Sequence, residues 1–170
     1  SRVKNYILEN DALKYVFMAA RWTRYQHGVS DISDVPVAQE NSVIALAEKL
    51  QEVVAQLNNA GKAVIIFGPV PELEYKAPDC LAKQVLHEDS KRFSCAGLDY
   101  ADFEEQQNHI LSILKPLPNL GAHVIYTSER FCKAGQCHVH DNRKSFYYDD
   151  NHLSQFGASQ LTGDIEKIFN

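Results

Sequence analysis

The fold is decided by the stretch Lys62-Ala63-Val64-Ile65-Ile66-Phe67, which is followed at once by Gly68-Pro69-Val70-Pro71. Its apolar residues are continuous, which is typical of a parallel strand that helices cover on both faces. The Gly and Pro residues that follow end the strand. This stretch therefore predicts a buried strand in a sheet with a helical layer on each side.

The segments before this strand predict a helix and a further strand. Apolar residues recur three and four positions apart in a helix that ends at Gly61: Val43, Leu46, Ala47, Leu50, Val53, Val54 and Leu57. Further upstream, Ile7 and Leu8 lie in a short helix that leads into a second buried strand over residues 15–20. A stretch rich in Gly, Ser, Asp and Pro, from Gly28 to Pro36, connects that strand to the long helix.

The segments after the central strand repeat the alternation of helix and strand. Residues 72–99 show a weak pattern, with at most a short helix around residues 80–86, and predict a long irregular insertion of the kind that carries substrate contacts. Beyond it we expect a helix, a third strand, a polar loop that contains cysteines and a last helix, over residues 102–114, 122–127, 128–144 and from about 153 onward.

This order of elements predicts an α/β fold, with a parallel sheet sandwiched by helices, in a single domain over residues 1–170. Three strands are few, because such sheets usually contain about five or six. The chain also begins Ser1-Arg2-Val3-Lys4, with neither an initiator Met nor an apolar signal segment. We therefore expect one or two further strands to lie upstream of this chain.

Composition excludes several classes of protein. The chain has 170 residues, of which 45% are hydrophobic and 23% are charged, so it is neither disordered nor a coiled coil. Its net charge of -5 argues against a protein that binds nucleic acid through the phosphate backbone. No apolar run approaches the ~20 residues that cross a bilayer, so the sequence predicts no membrane span within these residues.

Asp149 and His152 form the most informative pair of polar residues, just before the last helix. A spacing of three in a turn lets the carboxylate hydrogen-bond one imidazole nitrogen while the other nitrogen faces outward. The carboxylate would fix the imidazole tautomer and stabilise the imidazolium that forms when His takes a proton from a hydroxyl. The alternative is a capping turn with a surface histidine.

Four cysteines raise the question of redox state. Cys132 and Cys137 flank a short turn and could close a disulfide in an oxidising compartment, worth roughly 2 kcal/mol. Cys80 and Cys95 could pair with each other, or Cys80 could have a partner upstream of the chain.

The same loop offers a zinc alternative. Cys132, Cys137, His138 and His140 are suitable ligands for that ion. Their spacing is too compressed for an ordinary zinc finger, so a disulfide is favoured and no metal is expected.

Several blocks together resemble the SGNH hydrolases, in the form found as periplasmic domains fused to membrane acyltransferases that O-acetylate lipopolysaccharide. The last block is similar in Asp149-x-x-His152-Leu153-Ser154 with Gly157-Ala158. Three others occur in the same order: Ala19-Ala20-Arg21-Trp22-x-x-Tyr25, then Phe67-Gly68-Pro69-Val70-Pro71-Glu72 with Cys80-Leu81, then Cys132-x-x-x-x-Cys137. The resemblance spans residues 15–161 and implies an SGNH or flavodoxin-like three-layer fold.

One departure from that family concerns the nucleophile. SGNH proteins carry it in a Gly-Asp-Ser block, whereas here Gly163-Asp164 is followed by Ile165 in the last helix. The resemblance implies a catalytic pair, His152 as base and Asp149 as its orienting partner, with the serine upstream of this chain.

The family's Asn block is also not evident. Arg21 is a candidate donor to an oxyanion or a sugar hydroxyl in its place, or an ion-pair partner of an acid such as Glu72.

Trp22 and Tyr25 are candidates for stacking on a sugar ring, with packing as the alternative. The resemblance implies an O-acyltransferase that moves an acetyl group onto a cell-surface carbohydrate, in the periplasmic domain of an inner-membrane protein. It implies no bound cofactor, because the membrane acyltransferase domain of the same polypeptide would supply the acyl group. The alternatives are a carbohydrate O-acetyl esterase with the same triad and a catalytically silent carbohydrate-binding or assembly domain.

Overall fold

The computed structural model describes residues 2–26, 39–87 and 95–169, with the side chains of residues 26 and 39–42 left aside. The connection from Gly28 to Pro36 and part of the predicted insertion, residues 88–94, lie outside the described residues. Contacts divide the chain into two compact units. The first comprises Ser1–Pro69 with Gln107–Ile125, and the second comprises Val70–Gln106 with Tyr126–Asn170.

Eight helices and eight strands are assigned in the described part of the chain. The helices are α1 (Arg2–Glu9), α2 (Thr23–Gln26), α3 (Gln39–Asn59), α4 (Ala77–Leu86), α5 (Tyr100–Leu114), α6 (Ser128–Phe131), α7 (Gln155–Ser159) and α8 (Thr162–Phe169), with a 3-10 turn at Leu117–Leu120. The strands are β1 (Tyr15–Met18), β2 (Ala63–Phe67), β3 (Leu98–Asp99), β4 (Ala122–Ile125), β5 (Cys132–Lys133), β6 (Gln136–Cys137), β7 (His140–Asp141) and β8 (Lys144–Ser145).

A three-stranded parallel sheet forms the centre of the first unit, in the order β1-β2-β4. The central strand pairs Val64 with Val16 on one side and with Ala122 on the other. Val64, Ile65 and Ile66 are fully buried, as their continuous apolar pattern predicts. The predicted α/β class, a parallel sheet with flanking helices, is therefore confirmed.

Strand β1 differs from its prediction. It ends at Met18 instead of Ala20, and Tyr15 and Phe17 are 50% and 48% exposed. Among the described strands, β1 pairs only with β2, and its residues alternate in exposure. The expectation of a fully buried strand is wrong because β1 is not covered as β2 is.

Helix α3 matches its periodicity. Leu50, Val54 and Leu57 are buried on one face of the helix. The helix is followed by Gly61, whose φ of +69° lies in the left-handed region that favours glycine. The Lys62 N–H donates to the Leu57 carbonyl at 3.0 Å, and this C-terminal turn leads the chain directly into β2.

The second unit contains regular structure where the sequence predicts a polar loop. Helix α6 and two tight hairpins, β5–β6 and β7–β8, occupy that stretch, and β3 pairs with β6. Each hairpin turns through two residues with positive φ, Ala134 with Gly135 and Asn142 with Arg143. Two-residue strands are too short to show an alternating pattern, so sequence periodicity does not reveal them.

Aromatic side chains fill the core of the second unit. The ring centroids of Phe131 and Phe146 are 5.2 Å apart, and those of Phe146 and Phe156 are 5.5 Å apart.

The last predicted helix is in fact two helices, α7 and α8, separated by a turn at residues 160–161. In the described part of the chain, every helix is too short or too polar to cross a lipid bilayer.

Candidate active site

A short hairpin places Asp149 and His152 in the second unit. Tyr147 bridges Leu153 in antiparallel register, and the Tyr148 N–H donates to the His152 carbonyl at 2.8 Å. One step further out, the Ser154 N–H donates to the Phe146 carbonyl at 2.8 Å. Residues 149–151 are therefore the tip of the hairpin, and His152 stands at the start of its returning strand.

The carboxylate of Asp149 binds both the backbone of this tip and the imidazole of His152. Its Oδ1 accepts the N–H groups of Asn151 and His152 at 2.9 and 2.7 Å. Its Oδ2 lies 2.8 Å from Nδ1 of His152. One carboxylate thus shapes the turn and orients the ring, and the spacing of three residues allows both contacts.

Charge is stabilised on Asp149 by the same contacts. The backbone N–H of Asn151, the backbone N–H of His152 and the bond to the imidazole hold the pKa of this carboxyl well below its usual range. Asp149 is therefore an acceptor at neutral pH, so Nδ1 of His152 carries the hydrogen between them. That arrangement leaves Nε2 as the basic nitrogen of the ring.

Nε2 is accessible to solvent. The His152 side chain is 70% exposed, and no described residue hydrogen-bonds Nε2. The predicted pair is thus brought together in the geometry that general-base catalysis requires, with one nitrogen oriented by a carboxylate and the other open to a reacting group.

The segment before α4 is hydrogen-bonded to the tip of this hairpin. The Leu73 N–H donates to the Asp150 carbonyl at 2.9 Å, and the Ala77 N–H donates to the Asp149 carbonyl at 3.1 Å. Cys80, in the first turns of α4, forms a disulfide with Cys95. The predicted insertion therefore supports the dyad, a contact between distant parts of the chain that no local pattern reveals.

Ser154 and Gly157 hold the base of the hairpin. The Ser154 hydroxyl accepts the Gly157 N–H at 3.0 Å, which caps α7, and donates to the Ser145 carbonyl at 2.7 Å. An added Cβ at Gly157 would lie 2.0 Å from the carbonyl oxygen of Phe146. These contacts explain why a serine and a glycine stand at these two positions of the block.

Two serines of the second unit, Ser128 and Ser154, can be compared with the position of His152 as nucleophiles within the chain. The hydroxyl of Ser154 is engaged in the cap described above, and Ser128 is buried. In the part of the chain that the structure describes, no serine hydroxyl is hydrogen-bonded to His152.

The other predicted site residues lie in the first unit, after the end of β1. Arg21 is exposed and Tyr25 is half-buried. Trp22 is only 5% exposed, and its Nε1–H donates to the Phe67 carbonyl at 2.8 Å. Its indole is packed and hydrogen-bonded within that unit, which agrees with the packing alternative. The roles of Arg21 and Tyr25 as substrate contacts stay predictions.

Both pairs of cysteines are joined. Cys132 and Cys137 face each other across the β5–β6 hairpin and form a disulfide, and Cys80 is bonded to Cys95. The sulfur atoms of Cys132 and Cys137 are bonded to each other and so are not zinc thiolates in this structure. In this oxidised form the proposed zinc site would therefore lack two of its four ligands.

The family model for the SGNH domain fused to AT3 domains matches residues 1–167. The chain belongs to this family of SGNH domains. A solved structure, the periplasmic domain of the Salmonella ser. Paratyphi A lipopolysaccharide acetyltransferase, has the same fold, with a TM-score of 0.67 and 16% identity. The match covers 99% of this chain and 61% of that chain, so the SGNH domain described here spans less than two thirds of it. No curated protein matches the sequence.

The sequence did not single out Tyr148, which follows the buried Tyr147, is 76% exposed and pairs in register with His152 across the hairpin. A signal for this was present in the sequence. Tyr147 and Tyr148 before the turn and the apolar Leu153 after it are typical of two short antiparallel strands. That pairing places one tyrosine in the core and the next one in solvent.

Proposed function

We propose that this SGNH domain is the part of an acyltransferase that moves an acetyl group onto a cell-surface carbohydrate, with His152 as general base and Asp149 as its orienting residue. The observation that carries the proposal is the 2.8 Å contact between Nδ1 of His152 and Oδ2 of Asp149, with Nε2 open to solvent. The family's fusion to AT3 domains and the fold of a lipopolysaccharide acetyltransferase domain support it.

The nucleophile is a serine supplied from outside these 170 residues, since the sequence contains no Gly-Asp-Ser block. Nε2 of His152 takes the proton of that serine hydroxyl as the serine oxygen attacks the acyl carbon. The resulting imidazolium is stabilised by the Asp149 carboxylate and returns the proton to the leaving group. An acyl-serine remains.

In the second half of the reaction, Nε2 takes the proton of a sugar hydroxyl while that oxygen attacks the acyl-serine. The ester forms on the sugar, the serine leaves as an alkoxide, and His152 returns the proton to it. An AT3 domain in the same polypeptide supplies the acetyl group, so the SGNH domain itself needs no cofactor. This assignment places the domain in the periplasm, as part of a membrane protein.

The same dyad would hydrolyse a carbohydrate acetyl ester if water replaced the sugar hydroxyl. The exposure of Nε2 to solvent favours this as the second candidate. Assay of the full-length protein with an acetyl donor, with and without a carbohydrate acceptor, separates the two, because a transferase forms the sugar ester and an esterase releases acetate.

The variant His152→Ala tests the role of the dyad in either reaction. We expect it to lower kcat by about 10⁶, as loss of a triad base does. His138→Ala is the matched control, because His138 is an exposed histidine of the same unit outside the dyad. Transfer within twofold of wild type in the His152 variant would end the assignment and leave a binding or assembly domain.

A further inference from the structure

Tyr148 is an exposed aromatic residue on a well-anchored backbone. Its side chain is 76% exposed, whereas that of its neighbour Tyr147 is almost fully buried. Its N–H is hydrogen-bonded across the hairpin, and the Tyr147 ring packs 6.4 Å from the ring of Phe131. The backbone thus fixes the place in the hairpin from which this exposed aromatic ring projects.

That place is directly opposite His152. The bridge between Tyr147 and Leu153 sets the register, and in this register Tyr148 pairs with His152 across the hairpin. Side chains of directly opposed residues leave the same face of a hairpin, with Cβ atoms about 5 Å apart. The phenol ring and the imidazole are therefore neighbours on one exposed face.

The position of the ring bears on one approach to Nε2. A molecule that brings a hydroxyl to Nε2 of His152 along this face of the hairpin meets the neighbouring aromatic ring. A pyranose presents patches of C–H bonds on its faces and hydroxyls around its rim. Aromatic rings pack well against such C–H patches, and tyrosine loses little conformational entropy when it does so.

We propose that Tyr148 is the acceptor-binding residue of this site and stacks its ring against the C–H face of a pyranose, one of whose hydroxyls then lies at Nε2 of His152. This inference rests on the proposed function and adds to it the residue that binds the sugar acceptor. The ring face makes the contact, so the phenol hydroxyl is dispensable.

The test uses the full-length protein and a panel of methyl hexopyranosides as acceptors, with KM and kcat measured for each. Tyr148→Ala should raise KM for the best acceptor about tenfold, with a smaller effect on kcat. Tyr148→Phe, which keeps the ring face, should stay within about twofold of wild type. Tyr148→Leu, which keeps apolar bulk without the ring, should resemble Tyr148→Ala.

Tyr6→Ala is the matched control, since Tyr6 is also a well-exposed tyrosine, on helix α1 of the first unit. It should leave KM as in wild type. An unchanged KM in Tyr148→Ala, an equal loss in Tyr148→Phe, or a panel in which no hexopyranoside is used would each overturn the proposal. Equal circular dichroism and unfolding midpoints of the variants show that folding is not the cause.

Two outcomes separate this proposal from the one it rests on. If His152→Ala keeps its transfer activity, the proposed function itself fails. If His152→Ala is inactive while Tyr148→Ala binds acceptors as wild type does, only the role of Tyr148 is lost.

Discussion

Gly157 lies so close to Phe146 that a methyl group on its α-carbon would come within 2.0 Å of the Phe146 carbonyl oxygen. That carbonyl accepts the Ser154 N–H at the base of the hairpin that carries Asp149 and His152. The contact between Gly157 and Phe146 thus connects the packing of α7 to the position of His152.

Gly157→Ala should therefore destabilise the SGNH domain by about 1–3 kcal/mol, because the obstacle is backbone and cannot move aside. Gly163→Ala is the matched control, since an added Cβ there meets nothing within 4 Å. It lies within α8 and should be neutral or stabilising by up to about 1 kcal/mol. Urea unfolding measures both, and equal stabilities would contradict the close packing.

Asp149→Asn should lower kcat about 10³- to 10⁴-fold while the hairpin stays folded. The amide oxygen can still accept the N–H groups of Asn151 and His152, which shape the turn. The amide nitrogen, however, then faces Nδ1 and favours the tautomer with hydrogen on Nε2, which cannot take a proton.

Asp149→Ala removes both functions, so it should lower the unfolding midpoint as well as kcat. Measuring kcat and the midpoint for both variants separates the orienting role from the structural one. Normal transfer by Asp149→Asn would show that the carboxylate only shapes the turn.

The local pattern of Val64 to Ile66 was sufficient to predict the central strand, because a continuous apolar run indicates a strand that is buried on both faces. The spacing of Asp149 and His152 alone was a weak signal, and the resemblance to the SGNH hydrolases singled out this pair. The support of the dyad by Leu73 and Ala77 could not be foreseen, because it pairs segments distant in sequence. The exposure of β1 depends in the same way on which strands lie beside it.

The two disulfides should differ in their contribution to stability. The Cys80–Cys95 bridge joins residues 15 apart and the Cys132–Cys137 bridge joins residues 5 apart. On the chain-entropy estimate they contribute about 3 and about 2 kcal/mol. Replacing both cysteines of one bridge by serine, and then both of the other, should reproduce this order in urea unfolding.

Mass spectrometry without reductant should show the two cross-linked peptides and no free thiol. Free thiols with stoichiometric zinc would contradict the disulfide at residues 132 and 137. An equal or reversed order of the two stability losses would show that the reduced chain retains structure.

Asp164 should make the free energy of unfolding depend on pH under acidic conditions. Its hydrogen bonds from Arg130 and then from Lys167 lower the pKa of this carboxyl to about 2. The unfolded value is near 3.9, so the stabilisation is present above about pH 4 and is lost as pH falls through about 2. Because the pair is partly exposed, it contributes about 0.5–1 kcal/mol.

A double-mutant cycle with Arg130→Gln and Asp164→Asn isolates this contribution from the effect of Asp164 on the start of α8. The coupling free energy should be about 0.5–1 kcal/mol at pH 7 and smaller at pH 2.5. A coupling that does not change between these pH values would show that ionisation of Asp164 is not its source.

The 170-residue SGNH domain alone should show no esterase activity that depends on His152. In the described residues, no serine hydroxyl is hydrogen-bonded to Nε2, and Ser154 is held in the cap of α7. Without a serine hydroxyl within reach of Nε2, no acyl-enzyme can form. Hydrolysis of an unactivated acetyl ester such as methyl acetate, which imidazole itself does not attack, should therefore proceed at the same rate with the wild-type chain and with His152→Ala. If the wild-type chain were much faster, a serine within the chain would be the nucleophile, and Ser128→Ala and Ser154→Ala would show which one.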